Sequence, residues 1–219
     1  MRLSFPWQIG RILKVQRFVV AAMMLALAGC ASGAGGGKGK EVTFSADAVK
    51  PAMPQPAAAS LKPGLATMYF HGRYDHINDM PSLDKPVEMA KGRPGKPVAP
   101  IDEMSGSGVM WESQDFQFFG VVFTGFINFD KPGTYHITVN SNDGIRIYIG
   151  GKMVLEDPFV HADAMANPVA LDIAAPGWYP ITMQYFQKRN TATLQFFWQP
   201  PNANNMSIIP ASALMHVPK

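Results

Sequence analysis

Residues 133–155 read GTYHITVNSNDGIRIYIGGKMVL, and this stretch decides the fold class. Apolar and polar side chains alternate from Thr134 to Asn140 and again from Ile145 to Ile149. Because successive side chains of a strand point to opposite faces, this alternation predicts two half-buried strands. The glycine pair at 150–151 separates the second run from Lys152–Leu155, which is a strong hairpin signal. The stretch therefore predicts consecutive antiparallel strands.

The same pattern continues on both sides of this stretch. Strand-like runs occupy residues 65–70, 116–129, 179–187 and 191–199. Proline-glycine pairs at 132–133 and 176–177 are turn signals, because proline presets φ and glycine accepts a positive φ. No segment after residue 60 sustains a helical period. Short strands at regular spacing predict an all-β protein, an antiparallel β-sandwich or barrel.

The first thirty residues are typical of an export signal. Residues 1–17 carry four basic and no acidic side chains, and an apolar run follows from Phe18 to Ala28. This run is too short for a membrane-spanning helix of about 20 residues, so the pattern favours a secretory signal peptide.

The sequence Leu27-Ala28-Gly29-Cys30 resembles the lipobox of bacterial lipoproteins. The resemblance implies removal of residues 1–29 and a covalent lipid such as palmitate on Cys30. Ala31 follows the cysteine where an aspartate would retain the protein in the inner membrane, so the outer membrane is expected, in either leaflet. The alternatives are a cleaved signal with an incidental cysteine, or a retained membrane anchor.

Charge argues against nucleic acid as a partner. The whole chain has 19 Lys and Arg against 16 Asp and Glu, a formal net charge of +3. Removal of residues 1–29 takes away four positive charges and leaves 15 against 16, a formal charge of −1. A nucleic-acid-binding domain concentrates Lys and Arg on its surface, which the remaining chain does not do. The single cysteine also excludes a disulfide within the chain.

Composition divides the remaining chain into a tether and a domain. Residues 30–60 contain a Gly-rich and a Pro/Ala-rich segment, neither of which can bury much apolar surface. We therefore expect 30–60 to form a flexible tether and 61–217 to form the folded domain. Within the domain, residues 80–108 contain five prolines and four glycines and predict a long irregular insertion.

Six landmarks follow one another in the strand-rich region. They are 123–127 (FTGFI), 132–135 (PGTY), 141–149 (SNDGIRIYI), 177–181 (GWYPI), 194–198 (LQFFW) and 209–214 (IPASAL). In this order they resemble the PA14 domain family, a β-sandwich module named after part of anthrax protective antigen. The resemblance implies an antiparallel β-sandwich and, by analogy with some members, calcium-linked carbohydrate binding.

The resemblance also implies a calcium site at Asn142 and Asp143. Some PA14 members hold Ca²⁺ there with two consecutive aspartates; here an asparagine replaces the first, and its amide oxygen can bind calcium without contributing charge. Arg146 and Trp178, which lie in two of the landmarks, are further candidate ligand-binding residues. The alternative is that Asn142-Asp143-Gly144 is a turn in which the aspartate caps local backbone amides.

A second polar cluster follows the hairpin at residues 156–163. Asp157, His161 and Asp163 are candidate metal ligands, because carboxylates and imidazole suit divalent cations. The alternative is an ordinary solvated loop.

The sequence favours a non-catalytic protein. Neither G-x-S-x-G nor H-E-x-x-H occurs, and the single cysteine is assigned to lipid. Two functions remain open. The first is an outer-membrane-anchored module that binds carbohydrate or cell-envelope glycan, with calcium as a possible cofactor. The alternative is a structural accessory subunit of a cell-envelope assembly, such as a secretion or surface-appendage complex, which binds other proteins.

Overall fold

The structure is a computed structural model that describes residues 41–218; the predicted signal peptide at 1–29 and Cys30 lie outside the described residues. The strands are β1 (Val42–Phe44), β2 (Lys62–Pro63), β3 (Leu65–His71), β4 (Arg93–Val98), β5 (Asp102–Ser105), β6 (Phe119–Phe129), β7 (Gly133–Asn142), β8 (Ile145–Ile149), β9 (Lys152–Asp157), β10 (Ala164–Met165), β11 (Val169–Ile173), β12 (Gly177–Gln187), β13 (Ala192–Gln199), β14 (Ser207–Ile208) and β15 (Leu214–His216). The helical segments are α1 (Pro86–Met89) and the 3₁₀ turns Ala58–Ser60, Ile77–Asp79 and Ala211–Ala213.

The strands form two sheets, which confirms the predicted β-sandwich. Sheet A runs β1-β11-β7-β13-β14, with β10 added to β7 and β5 to β13. Sheet B runs β2-β15-β6-β12-β8-β9, with β3 beside β6 and β4 beside β3. All of these pairs are antiparallel except β1 with β11. The hairpin predicted at Gly150–Gly151 joins β8 to β9.

The main core lies between the sheets, as the alternating pattern requires. Tyr135, Ile137 and Val139 of β7 are fully buried there, as are the three isoleucines of β8. A second, smaller cluster covers part of the opposite face of sheet B and consists of Phe70, Tyr74, Ile77, Met80, Val122 and Phe186. Both faces of β6 and β12 are therefore apolar over part of their length, which is why residues 119–123 read as a continuous apolar run around Gly120.

The predicted flexible tether is wrong for residues 41–60. β1 pairs with β11, and Val49 is only 1% exposed in the main core. The Gln55 side chain accepts a hydrogen bond from the Trp178 backbone N–H at 2.7 Å and donates one to the Trp178 carbonyl at 3.1 Å. Composition alone underestimated this segment because a few well-placed apolar residues and backbone hydrogen bonds fix it to the sandwich.

The irregular insertion predicted at 80–108 is also partly wrong. It contains α1, β4 and the strand β5, which pairs with β13. Pro94 and Pro97 lie in β4, which pairs only with β3 at an edge of sheet B. A proline lacks the N–H of a central strand but is tolerated at an edge, so these prolines did not exclude a strand. Between residues 41 and 218, no helix is long and apolar enough to cross a membrane.

Candidate functional site

The turn between β7 and β8 is the centre of the candidate site. Asn142 ends β7, and the Asn142–Asp143 peptide bond is cis. Gly144 packs tightly, because a Cβ there would lie 2.4 Å from Cε1 of Phe186 and 3.1 Å from the carbonyl oxygen of Pro158. Only glycine fits at this position without displacing its neighbours. The turn is therefore pressed against the loop that follows β9.

Asp143 is a buried carboxylate that joins three loops. Its side chain accepts a hydrogen bond at Oδ1 from the His161 backbone N–H (3.1 Å) and at Oδ2 from the Lys188 backbone N–H (2.7 Å). Desolvation raises the pKa of Asp143, and the two hydrogen bonds oppose that rise. The residue does cap backbone amides, but they belong to two distant loops and not to its own turn.

Asn142 connects the same turn to two further side chains. Its Nδ2 donates to Oδ1 of Asp163 at 2.9 Å and to Oγ1 of Thr191 at 3.2 Å. The buried Tyr185 hydroxyl donates to the Asn142 carbonyl, which holds the backbone of the turn from the side of the main core. Asn142, Asp143, Asp163 and Thr191 thus form one group, which we call the corner.

Two shallow cavities flank the corner. One, of about 300 Å³, is lined by residues that include Asp143, His161 and Arg189. The other, of about 350 Å³, is lined by residues that include Asp163, Thr193 and Met104. Asn142 and Thr191 line both, so the corner presents carboxylate, amide and hydroxyl oxygens to two adjoining depressions.

The predicted metal-ligand set Asp157, His161 and Asp163 does not assemble. His161 Nε2 lies 3.4 Å from Oδ2 of Asp157, while its Nδ1 donates to the Ala162 carbonyl at 2.7 Å. Asp163 instead contacts Asn142 at the corner. In the part of the chain that the structure describes, no group of three or more His, Cys, Asp or Glu side chains is arranged to hold a metal ion.

A comparison with protein families gives a single assignment. The family model described as the PA14 domain matches residues 61–211, which is more than half of the chain. The chain belongs to the PA14 domain family. This confirms the resemblance drawn from the six landmarks.

Several solved structures share the fold of this PA14 domain at low sequence identity. An anti-sigma factor domain-containing protein is 20% identical with a TM-score of 0.56, and the match covers 70% of this chain and 48% of that one. This chain therefore spans about half the length of that protein. The PA14 domain of the antifreeze protein MpAFP is 16% identical with a TM-score of 0.59, covering 74% and 94%.

The Epithelial Adhesin 9 A domain of Candida glabrata, solved in complex with Galβ1-4GlcNAc, is 12% identical with a TM-score of 0.58, covering 77% of this chain and 95% of that one. At these identities the likeness shows the fold alone. No curated protein matches this chain.

Arg146 and Trp178 do not belong to the corner of the PA14 domain. Arg146 lies on the outer face of sheet B, where its Nε donates to Oε1 of Glu156 at 2.6 Å. Trp178 is near the start of β12, whereas the Asp143 N–H contacts the Phe186 carbonyl near its end. Eight residues of strand separate the two positions, or about 27 Å. The sequence-predicted ligand residues are thus divided among three places.

Sequence reasoning missed the contribution of the loop between β12 and β13. Lys188 supplies a backbone N–H to Asp143, and Thr191 a hydroxyl to Asn142. The available signal was the polar run Lys188-Arg189-Asn190 between two predicted strands. An antiparallel sandwich collects alternate loops at one end, which places this loop beside the β7–β8 turn.

Proposed function

We propose that this PA14 domain is a non-catalytic module that binds carbohydrate at the corner, with calcium as a cofactor, on a lipoprotein anchored in the outer membrane through Cys30. The observation that carries the carbohydrate proposal is the corner itself, where oxygen-bearing side chains meet between two cavities. The Candida glabrata adhesin domain with a similar fold was solved with a bound disaccharide. Binding sites use a small number of precisely placed polar groups to orient a ligand, and the corner offers such a group.

The burial of the Asp143 carboxylate supports the calcium part of the proposal. Asp143 is 3% exposed, and its carboxylate forms no ion pair with any Lys or Arg among residues 41–218. The ammonium of Lys188, whose backbone contacts Asp143, pairs with Asp75 instead. A buried carboxylate without a cationic partner is costly when ionised, and a bound cation would remove that cost.

Calcium at the corner would be held by the carboxylates of Asp143 and Asp163, and it would offer coordination positions to vicinal sugar hydroxyls. The Asn142 amide, whose Nδ2 donates to Asp163 in the structure, would have to rotate to bring its oxygen to the ion. The chain's own residues supply the remaining contacts. The Thr191 hydroxyl and the Asn142 amide lie at the rim, where they can exchange hydrogen bonds with a sugar. Asp143 holds the His161 and Lys188 loops in place and thereby shapes both cavities.

The test is titration of the purified full chain with N-acetyllactosamine, in calcium and in EDTA. We expect EDTA and the exposed-site variant Asp163→Asn each to weaken binding by about tenfold or more. The matched control Asp157→Asn changes a carboxylate that pairs with His161 outside the corner, and it should leave affinity unchanged. Binding that is indifferent to EDTA and to Asp163→Asn would remove calcium from the proposal. Failure to bind any glycan on an array would remove the carbohydrate function.

The lipid anchor is proposed from Cys30 and the apolar run before it. Metabolic labelling with a palmitate analogue should place label on the wild-type chain in the outer-membrane fraction. Cys30→Ser should lose both the label and the membrane association. Label that persists in Cys30→Ser would contradict the assignment.

A second function, docking to another envelope protein, is favoured by one cavity at the edges of the two sheets. A cavity of about 420 Å³ opens between the edge strands β1 and β9, and Val42 and Met153 beside it are 54% and 41% exposed. Cross-linking on intact cells followed by recovery of the chain should yield one stoichiometric partner, lost in Met153→Glu. Recovery of the chain alone would exclude this function.

A further inference from the structure

The outer face of sheet B carries a groove that is separate from the corner. Tyr148 and Arg146 of β8 lie opposite Thr182 and Gln184 of β12 in the strand register. All four side chains face away from the main core, because the residues that alternate with them are its buried isoleucines and Met183. Residues 77–84 form the opposite wall, and the cavity between them measures about 570 Å³. Cavities of about 300–1,000 Å³ are the usual size for small-molecule sites.

The wall of this groove is firmly held. Ile77 is fully buried and Met80 is 4% exposed, and both pack in the smaller apolar cluster. The Ile77 N–H donates to the Pro158 carbonyl at 2.8 Å, and Asp79 accepts from the His76 N–H at 2.9 Å. A wall fixed by both packing and hydrogen bonds need not be ordered when a ligand binds.

Gln184 supplies a buried amide to the groove. The residue is only 2% exposed, and its Nε2 donates to the Pro81 carbonyl at 3.1 Å. Its Oε1 accepts no hydrogen bond from any other residue between 41 and 218, and Gln184 lines the cavity. This oxygen is open to the solvent of the cavity, where it can accept a hydrogen bond from a ligand hydroxyl.

Arg146 is held as a hydrogen-bond donor and not as a free charge. Its guanidinium donates to Glu156 and to Oδ1 of Asn78, and its side chain is 15% exposed. Glu156 neutralises the positive charge, while Asp84 adds a carboxylate at the groove that forms no ion pair within the described chain. This balance disfavours an anionic ligand and leaves fixed N–H donors for neutral oxygens.

Tyr148 completes the groove with a half-buried ring beside the Thr182 hydroxyl. An aromatic face packs against the C–H side of a sugar, and planar amide and guanidinium groups bind its hydroxyls. The geometry points to a second binding site in this groove, specific for a neutral, hydroxyl-rich ligand of mono- or disaccharide size. The site contains neither Asn142 nor Asp143 and needs no calcium, so it does not depend on the function proposed for the corner.

The experiment is a titration of the isotope-labelled full chain with lactose in EDTA, followed by NMR. We expect saturable shifts of the backbone amides of Arg146, Tyr148, Thr182 and Gln184. Tyr148→Ala should weaken binding about three- to tenfold because the ring is lost, while Tyr148→Phe retains the ring and most of the affinity. Thr182→Val, of nearly equal volume, should weaken binding about two- to fivefold through loss of one hydroxyl.

Asp163→Asn is the control that separates the groove from the corner, and it should leave lactose binding in EDTA unchanged. Shifts confined to the corner, or the absence of saturable shifts from lactose, cellobiose and glucose, would overturn the proposal. Tighter binding of glucose 6-phosphate than of glucose would overturn its neutral specificity. If Tyr148→Ala fails to fold, Thr182→Val decides: unchanged affinity in that variant overturns the site.

Discussion

The Asp143 carboxylate accepts a hydrogen bond from the Lys188 backbone N–H at 2.7 Å, across 45 residues of sequence. The same carboxylate accepts a second hydrogen bond from the His161 backbone N–H, at 3.1 Å, which connects the loop after β9 to the β7–β8 turn. One side chain therefore fixes the relative positions of the three loops that surround the corner. Its loss should affect both stability and binding.

Asp143→Ala should lower the free energy of unfolding by about 2–4 kcal/mol, because it leaves two backbone N–H groups without their charged acceptor. The measurement is urea denaturation of the two proteins side by side. Asp163→Ala is the matched control in the same region, since its exposed carboxylate accepts one side-chain bond, and it should cost about 1 kcal/mol or less. Equal effects of the two substitutions would contradict the bridging role of Asp143.

The contribution of Asp143 to the free energy of unfolding should decrease as pH rises, because the pKa of its carboxyl is raised in the folded protein. Burial raises the pKa of Asp143 in the folded chain, so folding favours its protonated form. The contribution of Asp143 is therefore most favourable below the ordinary aspartate pKa and is lost as pH rises through the raised value. Denaturation in EDTA should show wild type losing stability relative to Asp143→Asn across that window. A difference that is constant with pH would contradict the assignment.

Val49→Ala should destabilise the protein by about 1–3 kcal/mol, because Val49 is 1% exposed within the main core. Val42→Ala makes the same chemical change at a side chain that is 54% exposed, and it should cost less than about 0.5 kcal/mol. Thermal unfolding of both variants distinguishes them. Two small and equal effects would instead support the prediction that residues 41–60 form a flexible tether.

Gly125→Ala should destabilise by about 1–3 kcal/mol, because its Cβ would lie 2.3 Å from the carbonyl oxygen of Met215 on β15. Gly106→Ala is the control, since no atom lies within 4 Å of the corresponding Cβ. Chemical denaturation should find the second variant within about 0.5 kcal/mol of wild type. A neutral Gly125→Ala would show that β15 can withdraw from β6.

Trp178→Ala should leave calcium-dependent glycan binding within about twofold of wild type, because the residue lies about 27 Å along β12 from the Asp143 contact. Its backbone, and not its ring, is the group held by Gln55. Glycan titration with circular dichroism as a check on folding tests this. A loss comparable to that of Asp163→Asn would return Trp178 to the ligand-binding set.

Local patterns predicted the strands correctly where one face is buried. The alternation of Tyr135, Ile137 and Val139 and the Gly150–Gly151 hairpin need only neighbouring residues, so the sequence displays them directly. Residues 41–60 and β4 were misjudged because their composition of Pro, Ala and Gly gives no local sign of a distant partner. Val49 acquires its role only when the fold brings Gly150 of the β8–β9 hairpin beside it, and Pro94 only when β3 pairs with β4.

The candidate site was partly predictable for the same reason. Asn142 and Asp143 are adjacent in sequence and share a recognisable landmark, whereas Asp163 and Thr191 join them only through the meeting of loops. Arg146 lies three residues from Asp143 yet contributes to another face, since the strand carries it away from the turn. Proximity in sequence thus identified the centre of the corner, but it did not show which distant residues complete the corner or which nearby ones lie outside it.

The family match begins after β1 and ends before β15, so a fragment limited to the matched residues would lack both strands. A chain cut to residues 61–211 would lose β1 from the edge of β11, and Leu214, which is fully buried against β6. Uncovered strand edges with apolar side chains recruit strands from other molecules. We expect such a fragment to self-associate into aggregates. The segment that matches the family is therefore shorter than the segment that the protein needs in order to fold without aggregation.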